Sequence, residues 1–145
     1  MRVTVRNGDA QALSYNSGMR ENETSPRHRP VRSYVVRGGR LTPGQQRAID
    51  KLYPRLGVPE GSDGLNFEKL FGRAAPTVLE IGFGNGESTW RMASAEPDKN
   101  FLGIEVHPPG VGRLLMALDE NDVGNVRVCL GDAVVFLKER IADHS

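Results

Sequence analysis

The sequence predicts an α/β fold, an open parallel sheet with helices on both faces, on three observations. Short apolar runs recur at TVLEIG (77–82), FLGIEV (101–106) and VRVCL (126–130). They are nearly continuous rather than alternating, as in strands covered on both sides. Each is followed by a segment of helical spacing, and strand–helix units in series give parallel neighbours joined by right-handed crossovers.

Composition bounds the rest. The chain has 145 residues, 38% hydrophobic and 26% charged, within the range of one globular domain and outside fibrous or wholly disordered classes. Its apolar stretches are interrupted by Arg113 or by glycines, and MRVTVRNGDAQALSYNSG has no apolar core before a cleavage site. A cytoplasmic protein without a membrane partner is therefore expected. The single cysteine, Cys129, is flanked by apolar residues and reads as a small core side chain. No metal site is expected. Net charge is +1, but residues 1–47 hold nine arginines against Asp9, Glu21 and Glu23, a net of +6, leaving −5 for the remainder. A basic arm ahead of an acidic domain is the charge layout of a chain whose arm meets a polyanion.

Residues 1–40 carry Gly, Asn, Ser, Pro and Arg without a sustained period. They bury too little surface to offset ordering entropy, so a flexible arm is expected. Residues 41–72 form a helical segment. Thr42-Pro43-Gly44-Gln45 supplies a capping hydroxyl, a proline at the first helical position and a glutamine three after the cap. The helix runs through Ile49 and Leu52 on one face until Pro54 stops it. LNFEKLF (65–71) makes a shorter helical piece before Gly72. Within residues 73–145 the helices are Glu87–Ala95, a segment after Pro108 and Pro109, and Ala133–Ile141. The middle one places Val111, Leu114, Leu115 and Leu118 on one face, and the last places Val134, Leu137, Lys138 and Ile141 on one face.

Ligands of open parallel sheets bind outside the carboxyl ends of the strands, and an acid stands near each of those ends. Glu80 precedes the glycines, Glu105 lies near the end of the second run, and Asp132 follows the third. In VLEIGFGNGEST (78–89), Gly82, Gly84 and Gly86 let backbone approach a ligand and aim amides outward at the start of a helix. A dinucleotide fingerprint, G-x-G-x-x-G, would place its third glycine at 87, where Glu87 stands, so an NAD-type dehydrogenase is disfavoured. Glu105, about twenty positions on, suits a ribose with two free hydroxyls. Taken singly, the glycines could be a flexible loop, Glu105 an exposed strand-end carboxylate and Asp132 an ordinary helix cap.

The string E-x-G-x-G-x-G resembles the first motif of class I S-adenosylmethionine-dependent methyltransferases. RSYVVRGGRLTPGQQRAIDKLYPRLGV (32–58) and LFGRAAPTVLEIGFGNGES…FLGIEVHPPGVGRLL (70–115) closely resemble the bacterial tRNA (guanine-N7-)-methyltransferases. The resemblance runs from about residue 30 to the end, and LEIGFGNG with GIEVHPPGVG is specific to that family. It implies a Rossmann-like class I methyltransferase fold, S-adenosyl-L-methionine as cofactor, tRNA as partner, and the variable-loop guanosine as target. Glu80, Glu105 and Asp132 then match cofactor contacts, with Gly82, Gly84 and Gly86 around the same ligand. Arg32, Arg37 and Arg40 match a basic region that contacts the tRNA backbone, where planar guanidinium forks suit phosphate. A solvated tail is the plainer reading of that arm.

Guanine N7 has a lone pair and no proton, so methyl transfer needs alignment more than a base. Alignment can supply on the order of 7–11 kcal/mol. The family continues into a fourth strand and a loop bearing the functional aspartate, expected beyond residue 145. No catalytic residue is nominated within the chain: Trp90 lies in a helix, and His107 beside two prolines reads as a capping or packing group. A non-catalytic remnant that binds cofactor and tRNA is the rival reading. With three strand–helix units and no fourth strand, Val78–Ile81 is expected to form an open apolar edge, leaving the chain poorly soluble or partly folded.

Overall fold

A computed structural model describes residues 3–7 as backbone, and residues 39–61 and 63–141 in full. In chain order the elements are β1 (Val3–Asn7), α1 (Pro43–Leu56), α2 (Phe67–Phe71), β2 (Thr77–Ile81), α3 (Glu87–Ala95), β3 (Asn100–Glu105), α4 (Pro108–Glu120), β4 (Val126–Leu130) and α5 (Ala133–Arg140). The sheet is fully parallel with order β1-β2-β3-β4. None of the helices among the described residues is long and apolar enough to cross a membrane.

The helices begin where their caps dictate. At α1 the Thr42 side chain accepts from the Gln45 amide at 3.3 Å, while the Gln45 side chain accepts from the Thr42 amide at 2.9 Å. Asn66 caps α2 by accepting from the Lys69 amide at 2.8 Å, and Gly72, at φ 70°, ends it. Pro54 does not stop α1, contrary to expectation. It lies in the last turn, where a missing N–H removes a single bond, and Leu52 and Leu56 on either side are buried against the sheet.

Two apolar layers flank the sheet. Ala48, Leu52 and Leu56 of α1, Ala93 of α3, and Val111, Leu114, Leu115 and Leu118 of α4 pack on Phe101, Val126 and Val128. On the other face Val58, Phe67 and Phe136 pack on Leu79, Leu102 and Ile104. The face of α5 differs from the one expected. Phe136 is its buried residue and Ala133, Leu137 and Ile141 pack beside it, whereas Val134 is 45% exposed. A one-residue shift of the stripe follows from Phe136, whose large ring takes the inward position. Cys129 packs in this second layer. Burial pushes its thiol up to about 11, so it is protonated and inert at neutral pH.

The edge expected to be open is not. β1 pairs in parallel along the whole of β2, from Val3 opposite Thr77 to Asn7 opposite Ile81. The alternation of branched residues in VTVRN is a strand signal that an overall reading of residues 1–40 as flexible passed over. Residues 8–38 lie outside the described residues, so the expectation for the rest of the arm, Arg32 and Arg37 included, is not addressed by the fold. The other edge is blunted by the end of α1: the Val58 amide donates to the Val128 carbonyl at 2.9 Å, and the Leu130 amide donates to the Tyr53 hydroxyl at 3.1 Å. β2 is thus covered by β1, and part of the β4 edge finds local partners at the end of α1, which hinders pairing with other chains.

Two outcomes test this architecture. Removing residues 1–7 uncovers the β2 edge, and sedimentation velocity should then show concentration-dependent association; a strictly monomeric truncated chain of unchanged Tm would show that β1 protects nothing. Iodoacetamide at pH 8 should modify Cys129 at least about tenfold more slowly in the folded chain than in urea, because the thiolate is scarce when buried.

Candidate functional site

At the carboxyl ends of β2 and β3 the chain makes a left-handed turn of three glycines. Gly82, Gly84 and Gly86 have φ of 69°, 62° and 74°. Side chains other than glycine reach this region only at a cost of about 1–2 kcal/mol per residue. The Gly82 amide still donates to the Ile104 carbonyl at 2.8 Å, so the turn springs directly from the sheet. A Cβ on Gly86 would sit 2.6 Å from the Leu114 Cβ, which is why the turn can lie against α4.

Glu105 ties the turn to the neighbouring strand. One carboxylate oxygen, Oε2, accepts from the Gly84 amide at 2.8 Å. The other, Oε1, accepts from the Val106 and His107 amides at 2.8 and 3.0 Å. The side chain is 7% exposed. Of about four lone-pair positions on a carboxylate, three are thus occupied by backbone donors. One acceptor position remains for a hydroxyl from outside.

The other two acids do different work. Glu80 is buried and accepts from Ser88 Oγ at 3.2 Å and from Thr89 Oγ1 at 2.7 Å, fastening the first turn of α3 to β2. Asp132 is the cap of α5, accepting from the Val134 amide at 2.8 Å. All three stand at consecutive strand ends, as the sequence implies, but only Glu105 lines the cavity there. That cavity, of about 390 Å³, is bounded by Gly84, Asn85, Glu105, His107, Pro109 and Gly110, with Gly39, Gln45 and Arg113 at its margin. Its size lies within the roughly 300–1,000 Å³ of small-molecule sites.

Several of these residues were not singled out from the sequence. Gly110 is the clearest: a Cβ there would meet the Gly84 carbonyl oxygen at 2.1 Å, so the start of α4 and the glycine turn touch only because both are glycine. Its signal was the Pro-Pro-Gly run, legible as a helix entrance but not as a cavity wall. His107 is the cap residue of α4, its carbonyl accepting from the Gly110 and Val111 amides at 3.0 and 3.2 Å, and its place in the wall joins that role to the site. Arg40 is exposed and follows Gly39 at the margin. A further cavity of about 400 Å³ lies at the opposite end of the sheet, beside Pro97 and Asn125. There the Asn125 amide donates to the carbonyls of Ala93, Glu96 and Lys99, a bracket between loops without reactive groups. Among the described residues no three His, Cys, Asp or Glu side chains converge as a metal-holding group.

Residues 74–145 match the model of a family described as putative methyltransferase. A tRNA (guanine-N(7)-)-methyltransferase of Alcanivorax borkumensis is 51% identical over 133 residues, covering 92% of this chain and 56% of the relative. Those of Alkalilimnicola ehrlichii (51%, covering 81% and 50%) and Cupriavidus pinatubonensis (55%, covering 79% and 45%) are equally similar. The chain spans about half the length of the curated relatives it matches. On these matches the chain belongs to the tRNA (guanine-N7-)-methyltransferase family.

Proposed function

We propose that the chain forms the S-adenosyl-L-methionine-binding part of a tRNA (guanine-N7-)-methyltransferase that works in the cytoplasm. The observation that carries this reading is the Glu105–Gly84 bond beside the 390 Å³ cavity. It leaves a rigid carboxylate with one acceptor position at the tip of the second strand of the βαβ unit, where a ribose with free hydroxyls is recognised. The left-handed turn and Gly110 keep Cβ atoms away from the ligand's path. Glu80 and Asp132, by holding the starts of α3 and α5, fix the helix ends that face the same ligand.

When bound, the cofactor supplies an electrophilic methyl group. The chain's own residues bind and orient; they move no proton, because guanine N7 has none to lose. Holding the two reactants in line therefore accounts for most of what the protein must contribute. The exposed Arg40, with Arg32 and Arg37 in the basic arm, would grip tRNA phosphates. A non-catalytic binding remnant remains the second reading, because the cavity and arm serve it equally.

Isothermal titration of the chain with S-adenosylhomocysteine tests the cofactor. Binding is expected, with no comparable affinity for NAD, and Glu105→Ala should weaken it at least about tenfold, since a hydrogen bond to a charged group contributes about 1.5–3 kcal/mol. Unaltered affinity would overturn the assignment. Gly110→Ala forces the start of α4 off the Gly84 carbonyl. It should cost about 1–3 kcal/mol of stability, read as a lower Tm, and a comparable loss of ligand affinity. Transfer of labelled methyl groups to guanine N7 of unmodified tRNA decides between enzyme and remnant.

A further inference from the structure

Beside the cofactor cavity lies a second one of about 410 Å³, between the start of α1, α3 and α4. The two share Gln45, Asn85 and Arg113, so they meet along one wall. No role assigned above uses it. We propose that this cavity receives one unpaired nucleotide of an RNA strand, its base against Trp90 and Met116 and its phosphate on Arg113; the proposal rests on the tRNA-methyltransferase reading and extends it.

Each part of the lining answers to part of a nucleotide. Trp90 and Met116 are partly buried against the core and supply apolar surface with an aromatic ring, and base–aromatic contact tolerates any base. Hydrogen-bonding groups surround that surface. The Gln45 oxygen is held by the Thr42 amide, leaving its NH₂ as a donor, and the Asn85 oxygen accepts from the Glu87 amide at 3.1 Å, leaving its NH₂ likewise. Asn121 donates to the Ala117 carbonyl at 2.8 Å, leaving its oxygen as an acceptor, and Glu120 adds a carboxylate. Mixed donors and acceptors around an aromatic surface fit the edge of a nucleobase.

The charges fit a phosphate. Arg113 is exposed and makes no hydrogen bond or ion pair among the described residues, although it stands where the two cavities join. Glu87 does not neutralise it, because Glu87 is paired with Arg91 at 3.0 Å, and the Arg91 guanidinium lies 4.9 Å from the centre of the Trp90 ring. Around Gly44, Arg47 Nη2 and Met116 Cε both stand about 4.0 Å from the position a Cβ would take, so another guanidinium sits at the rim. Arg47, Arg91 and Arg113 outnumber Glu87 and Glu120 here.

Trp90 is the only tryptophan, so its emission reports this cavity alone. The 145-residue chain is titrated with a fluorescein-labelled, unstructured 12-nucleotide RNA, following Trp90 emission and RNA anisotropy together. Saturable quenching of roughly a third or more is expected. Arg113→Ala, at an exposed position, should weaken binding roughly fivefold or more. Saturating S-adenosylhomocysteine should leave the quenching in place. RNA that binds by anisotropy without disturbing Trp90, and with equal affinity for Arg113→Ala, overturns the subsite while leaving the methyltransferase reading intact. Quenching by S-adenosylhomocysteine alone also overturns it, by making the cavity part of the cofactor site. Absence of any RNA binding while S-adenosylhomocysteine still binds calorimetrically rejects the subsite and the RNA half of the functional reading, but not the cofactor.

Discussion

The site depends on one carboxylate. Glu105 holds the amides of Gly84, Val106 and His107 at 2.8–3.0 Å, joining the glycine turn after β2 to the loop after β3. A turn of three left-handed glycines has large conformational freedom in isolation. The bond from the Gly84 amide restricts that freedom, and the bonds from Val106 and His107 fix the buried side chain that accepts it. The cavity therefore exists before any ligand arrives, and little ordering cost is left for binding.

That clamp works only because the surrounding backbone can come close. Gly110 lets α4 rest on the Gly84 carbonyl, Gly86 clears Leu114, and Gly112 clears Gln45, where a Cβ would stand 2.7 Å from the Gln45 Cβ. The last contact brings the start of α1 onto α4. The capping box at Thr42 then serves more than helix initiation: it directs the Gln45 side chain at the place where the two cavities meet. β1 likewise lies along β2, and the end of α1 meets β4.

What could be read from the sequence divides along physical lines. β2, α3 and β4 stand within a residue of their expected limits, because continuous apolar runs and helical periods are local signals. The same holds for the buried face of α4, where Val111, Leu114, Leu115 and Leu118 are all inside. The extension of α1 past Pro54 and the inward turn of Phe136 were not legible, because tertiary packing decided both. β1 was lost because a five-residue strand carries little weight inside a polar, arginine-rich stretch. For the site, the glycines and the three acids were legible from spacing. Their roles were not, since spacing cannot say which lone pairs the backbone already occupies.

The acids differ in their internal bonds. Glu80 accepts from two hydroxyls of α3 and Asp132 from an amide of α5. Both stabilise helix starts, and a fixed helix start presents amides and a positive dipole end to whatever lies in front of it. Glu105 alone both organises backbone and borders the cavity. Loss of Glu80 or Asp132 would thus act on a ligand through the placement of α3 or α5, whereas loss of Glu105 would remove an acceptor and release the glycine turn together. The recurrence of an acid at each strand tip is then a requirement of the fold first: turns from parallel strand to helix expose amides and hydroxyls that need an acceptor, and of the three acids it is Glu105 that also borders the cavity.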